Sequence, residues 1–100
     1  MPTYVTLFKW TEQGVKDVKN APARFEAAQK LTESMGGKVL SLYVTMGDYD
    51  IVAVTEGPSD EVASAIALSI AAKGNAKSKT MRAYTESEFA EIVKNVQFAE

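Results

Sequence analysis

The stretch from Leu40 to Thr55, LSLYVTMGDYDIVAVT, constrains the fold more than any other part of the chain. Two runs rich in β-branched and aromatic residues flank Gly47-Asp48. A glycine at the first turn position tolerates positive φ, so the stretch reads as a hairpin closed by a two-residue type II′ turn. Met46 then faces Tyr49, and that pairing sets the register. One face carries Leu40, Leu42, Val44, Met46, Tyr49, Ile51 and Ala53, and is expected to lie beneath helices. The other carries Val39, Ser41, Tyr43, Thr45, Asp50, Val52 and Val54. It is too apolar for plain solvent, yet it holds a carboxylate.

The remaining elements follow from local signals. Thr3 to Trp10 reads as a strand in which Tyr4, Thr6, Phe8 and Trp10 alternate with Val5, Leu7 and Lys9. A short helical turn over Thr11 to Val18 comes next. Asn20-Ala21-Pro22 predicts a helix start with proline in the first turn, where its missing N–H costs little. That helix runs to Met35, buries Phe25, Ala28, Leu31 and Met35, and stops at Gly36-Gly37. Ser59 is placed as the N-cap of a helix reaching about Lys73, with Asp60 and Glu61 favoured by the helix dipole. Val62, Ile66 and Ile70 form its ridge, and alanines make it apolar nearly all round. Such a helix is buried on more than one side, and in so small a domain another subunit is expected to supply the second cover. Lys77 to Tyr84 reads as a charged edge strand. Thr85 to Glu88 is a capping box that opens a last helix, with Phe89, Ile92, Val93 and Val96 as its apolar stripe.

The order β-α-β-β-α-β, with a helix added at the C-terminal end, predicts an α+β, ferredoxin-like domain over residues 1–100. Right-handed crossovers put both main helices on one face of a four-stranded antiparallel sheet. The other face stands open. By the parity assigned to the first strand, it is expected to carry Tyr4, Phe8 and Trp10 beside Tyr43, Val52 and Val54. An apolar patch of that size is rarely left in water, which predicts a homodimer or higher oligomer.

Composition removes several function classes. The chain has no cysteine and no histidine, so disulfides, thiol nucleophiles and the preferred zinc, copper and haem ligands are missing. No metal or cofactor is expected. The net charge is −2 with no basic block, which argues against a nucleic-acid partner. The opening MPTYVTLF lacks the form of a signal peptide, and the apolar-biased run Val62 to Ala72 is too short to span a bilayer. A cytoplasmic protein without a membrane partner is the expectation.

The hairpin motif Gly47-Asp48-Tyr49-Asp50 resembles that of the GYD family. So do the opening PTYVTLFKWTEQG, the segment from Ala27-Ala28 to Gly36-Gly37, and the closing RAYTESEFAEIV. The resemblance implies kinship of fold with dimeric α/β barrel proteins, a group that includes cofactor-free monooxygenases and ligand-sensing regulatory domains. It brings no catalytic set, and shared fold does not carry function.

Candidate site residues are therefore read from position. Gly47 serves the turn and Tyr49 packs beneath it. Asp50, on the open face near Tyr43, is a candidate general base if aromatics enclose it, or else a strand-end acceptor for backbone or Arg82. Phe8, Trp10 and Tyr43 line either a pocket for a small apolar ligand or an interface, and Arg24 and Arg82 hold either a carboxylate or an ion pair. Two functions follow. One is a homo-oligomeric assembly or small-molecule-binding module; the other is a cofactor-independent, monooxygenase-like enzyme acting on a small aromatic substrate.

Overall fold

A computed structural model describes residues 1–99. Strands β1 (Thr3–Trp10), β2 (Lys38–Val44), β3 (Ile51–Glu56) and β4 (Ala76–Ala83) form one antiparallel sheet in the order β2-β3-β1-β4. Helices α2 (Ala21–Ser34) and α3 (Asp60–Ala71) cover one face. This is the split βαβ arrangement expected from the element order. A short α1 (Glu12–Lys16) and a single 3-10 turn (Val18–Asn20) link β1 to α2, and α4 (Glu86–Val93) follows β4.

The helix boundaries obey the capping chemistry. Thr11, Ser59 and Thr85 each accept a backbone N–H with the side chain, from Gly14, Val62 and Glu88 respectively. At α4 the reciprocal bond from the Thr85 N–H to Glu88 completes the capping box. Helix α1 is pressed onto the loop between α3 and β4: Thr11 donates to the Gly74 carbonyl at 2.5 Å, and Gln13 to Lys73 and Asn75. Gly14 is buried there, so close to the loop that a Cβ would lie 2.0 Å from the Asn75 oxygen.

The hairpin register is as expected from Val44↔Ile51 back to Ser41↔Val54, and Gly47 has φ of +107°. The turn itself differs. The ladder ends at the bond from Thr45 N–H to the Asp50 carbonyl, and residues 46–49 form a wider loop rather than a two-residue turn. The reason lies on β1: Asp50 donates its own N–H to the Phe8 carbonyl at 2.8 Å, which draws the start of β3 towards β1. Met46 is consequently in solvent and Val44 exposed, not beneath helices. Tyr49 is not beneath them either, because its ring lies 5.9 Å from the Lys79 ammonium. Lys79 pairs with Leu7 and so projects from the other side.

Two further expectations about faces are corrected. A bulge between Val39 and Ser41 exchanges Val39 and Leu40, so Val39 faces the helices and Leu40 is exposed. The parity of β1 is the reverse of that assigned. Tyr4 and Thr6 are buried under the helices with Phe8 and Trp10 beside them, which leaves Val5, Leu7 and Lys9 on the open face. Helix α3 has no buried residue within the chain, and Leu68 is 70% exposed. The second cover expected for α3 is thus absent from its own chain.

Candidate functional site

The open face of the sheet is an uncovered, largely apolar surface, and the strand registers define its rows. Val5 stands opposite Val54 and Met81, and Leu7 opposite Val52 and Lys79. Tyr43 adjoins Val52 from β2 and is 65% exposed. The four central residues Val5, Leu7, Val52 and Val54 are half-buried. Directly opposed Lys9 and Lys77, with Lys79 one row away, make one corner basic. Like charges facing one another across strands repel, and among the described residues none of these lysines has an ion-pair partner.

Asp50 sits at the strand end. Its Oδ2 accepts the Trp10 N–H at 2.8 Å, standing in for the carbonyl that a longer β3 would have offered. Its N–H and carbonyl are bonded to Phe8 and Thr45. This is the acceptor role at the sheet end, with backbone rather than Arg82 as the donor.

Phe8 and Trp10 lie on the helix side, away from Tyr43. Trp10 stacks against Phe25 at 6.3 Å, and the Arg24 guanidinium lies 5.7 Å from its ring centre. Arg24 in turn pairs with Asp17 at 2.8 Å. Two small chambers lie between sheet and helices, about 70 and 80 Å³ in volume, sharing Phe8, Ala28, Leu42 and Ile70 as walls. Each is half the size of an apolar cavity of about 150 Å³ that holds benzene.

Arg82 is remote from all of these. It is opposite Tyr4 while Trp10 is opposite Ala76, so about 20 Å of β4 separates the two ends. Its guanidinium lies 5.9 Å from the Tyr4 ring centre and 4.6 Å from that of Tyr84, bonds the Thr3 and Ala83 carbonyls, and pairs with Glu88 at 3.6 Å. Tyr4 donates to Asp60 at 2.6 Å. That hydrogen bond to a carboxylate, reinforced by burial, pushes the Tyr4 phenol up to about 12. Glu88 is held below the ordinary carboxylate value, chiefly by the Thr85 N–H and further by Arg82. The cluster is a clamp joining the starts of α3 and α4 to one end of the sheet.

The five residues proposed as ligand contacts therefore occupy three places. Tyr43 is on the open face, Phe8 and Trp10 are under the helices with Asp50 at their strand end, and Arg82 is in the clamp. Val5, Leu7 and Met81 were absent from the candidates although they form the open face. No local signal singles them out, since both alternations of β1 are apolar enough to be buried.

The family model described as GYD domain matches residues 4–93. The chain belongs to the GYD family. A relative from Thermus thermophilus, named glutamine synthetase and cystathionine beta-lyase binding protein, is 31% identical over 84 residues, 83% of this chain and 88% of that one. Among solved structures, the Mycobacterium tuberculosis leucine response regulatory protein aligns with TM-score 0.63 and 17% identity, over 84% of this chain and 51% of its own. The feast or famine regulatory protein of the same organism, solved with L-methionine, aligns with TM-score 0.62 and 17% identity, over 86% and 54%. A third structure, of a protein from Thermus thermophilus, aligns with TM-score 0.55 and 18% identity, over 85% and 95%. This GYD chain thus spans about half the length of the two mycobacterial regulators, and these likenesses establish a shared ferredoxin-like fold. No described helix is long and apolar enough to cross a membrane.

Proposed function

We propose that this chain is a non-catalytic assembly module whose open sheet face is an interface with further copies of itself. The observation that carries the reading is the apolar patch of Val5, Leu7, Val52 and Val54, extended by exposed Tyr43 and Met81. Contiguous apolar surface of this kind marks an interaction site. A cytoplasmic setting accords with a chain that lacks cysteine. The reading needs no cofactor, nucleic acid or membrane.

The name of the Thermus relative, a binding protein for two enzymes, supports a role in which the assembled module docks onto other proteins. An oxygenase acting on an aromatic substrate would need Asp50 as a free base beside an aromatic pocket. The bond from Trp10 to Asp50 favours the structural role instead. A small apolar ligand stays tied to the interface, as an occupant of the assembled face.

The test is native mass spectrometry of the wild-type chain and of Val54→Glu. Val54 lies on the open face at the centre of β3, so the charge meets the interface and not the helix layer. The wild type is expected as a dimer or larger, and the variant as a folded monomer with an unchanged far-UV circular dichroism spectrum. A wild type that is monomeric at micromolar concentration refutes the proposal.

A further inference from the structure

Helix α4 is an arm that touches little of its own domain. Every described residue from Phe89 to Ala99 is exposed, Phe89 itself at 58%, and Glu88 alone in α4 is half-buried. The radius of gyration is 15.6 Å and the longest dimension 55 Å, against about 13 Å expected for the radius of a compact chain of this length. An eight-residue helix held to its domain through little more than Glu88 is marginal in water, however well it is capped. Its stripe of Phe89, Ile92, Val93 and Val96 must rest on something.

We infer that this stripe seats on the open sheet face of a second copy of the chain. The inference rests on the assembly reading above and names the segment that fills the interface. Three observations choose this occupant. First, the arm is held away from its own open face. Arg82 is opposite Tyr4 with its guanidinium near the Tyr4 ring, on the helix side of the sheet, and its pairing with Glu88 keeps the first turn of α4 there. Second, the dimensions agree. The stripe within α4, Phe89 to Val93, is about 6 Å long, with Val96 just beyond it, and fits within the patch from Val54 across Val5 to Met81, which spans two strand spacings, about 10 Å. Third, the charges are complementary. The arm brings Glu86, one turn before Phe89 on the side of the stripe, while the face offers the unpaired corner of Lys9, Lys77 and Lys79. Both halves of the contact belong to one chain, so reciprocal exchange around a two-fold axis closes the assembly.

The absence of cysteine makes the test clean, because Ser87→Cys on the polar side of α4 provides a single attachment point for a nitroxide. The spin-labelled chain, without isotope, is mixed one to one with wild-type chain carrying ¹⁵N. Broadening of the Val5, Leu7, Val52, Val54 and Met81 amide signals is expected, with Ala28 and Ile66 on the helices unaffected; only a contact between copies produces it. In parallel, Phe89→Asp with Ile92→Asp alters side chains that are exposed in the single chain, and is expected to weaken self-association by about a hundredfold or more. An oligomer whose sheet-face signals stay sharp refutes the exchanged arm, for instance because sheet packs on sheet. A dissociation constant on dilution that the double substitution leaves unchanged refutes it as well. A monomeric wild type overturns the assembly reading along with it.

Discussion

Asp50→Ala is the perturbation that most directly separates a structural carboxylate from a chemical one. The substitution leaves the backbone bonds of residue 50 to Phe8 and Thr45 in place and removes only the acceptor of the Trp10 N–H. That N–H lies in a partly buried position beside the Trp10–Phe25 stack. Removing the partner of such a donor costs about 1–3 kcal/mol, with the upper part of the range reserved for full exclusion of water. Asp50 is half-buried, so the lower part applies, about 1–2 kcal/mol. For a chain of this length, each kcal/mol moves the melting temperature by about 5 °C, which predicts a fall of about 5–10 °C. Asp50→Asn keeps a carbonyl acceptor in the same place and is expected to lose less than half as much. Thermal and urea unfolding at one fixed protein concentration measure both, the concentration being held because association contributes to apparent stability. Equal stability of Asp50→Ala and wild type would refute the strand-end role, and an Asn variant as unstable as the Ala variant would show that charge rather than the hydrogen bond matters.

Two other expectations concern packing and titration. Gly14→Ala places a methyl where the Asn75 carbonyl stands, 2.0 Å away, so α1 must lift from the α3–β4 loop; a loss of about 1–3 kcal/mol in urea unfolding is expected. A wild-type unfolding curve for that variant would show that α1 is not held against the loop. Of the four tyrosines, Tyr4 is expected to ionise last, near pH 12, in an ultraviolet titration of the folded protein, and Tyr4→Phe should delete that step. Because the folded value is raised above the ordinary 10, this group's contribution to stability is complete below pH 10 and is lost as the pH rises from 10 to 12. Four tyrosines titrating together near 10 would contradict the Tyr4–Asp60 bond.

Local chemistry was legible in the chain. The caps at Ser59 and Thr85, the start of α2 at Ala21-Pro22, the positive φ at Gly47 and the strand β1 from Thr3 to Trp10 all follow from neighbouring residues. The element order, and with it the four-stranded antiparallel sheet, followed from these. So did the hairpin register near Val44 and Ile51, because a period of two allows no slip without exposing the core face.

What the chain alone left open is which side of each strand faces the helices and what lies beyond the strand ends. Tyr4, Phe8 and Trp10 make as plausible an open face as a core face until α2 and α3 are laid over the sheet, since both alternations of β1 are apolar enough to be buried. The single bulged residue at Leu40 then exchanges sides for Val39, a reversal that no periodicity in β2 announces. Asp50 acquires its role from Trp10, forty positions earlier, and Arg82 acquires its own from Tyr4 and Glu88. The amphipathic stripe of α4 was readable, but its isolation was not: amphipathicity states that a helix needs a partner surface, and only the tertiary arrangement shows that its own domain does not provide one.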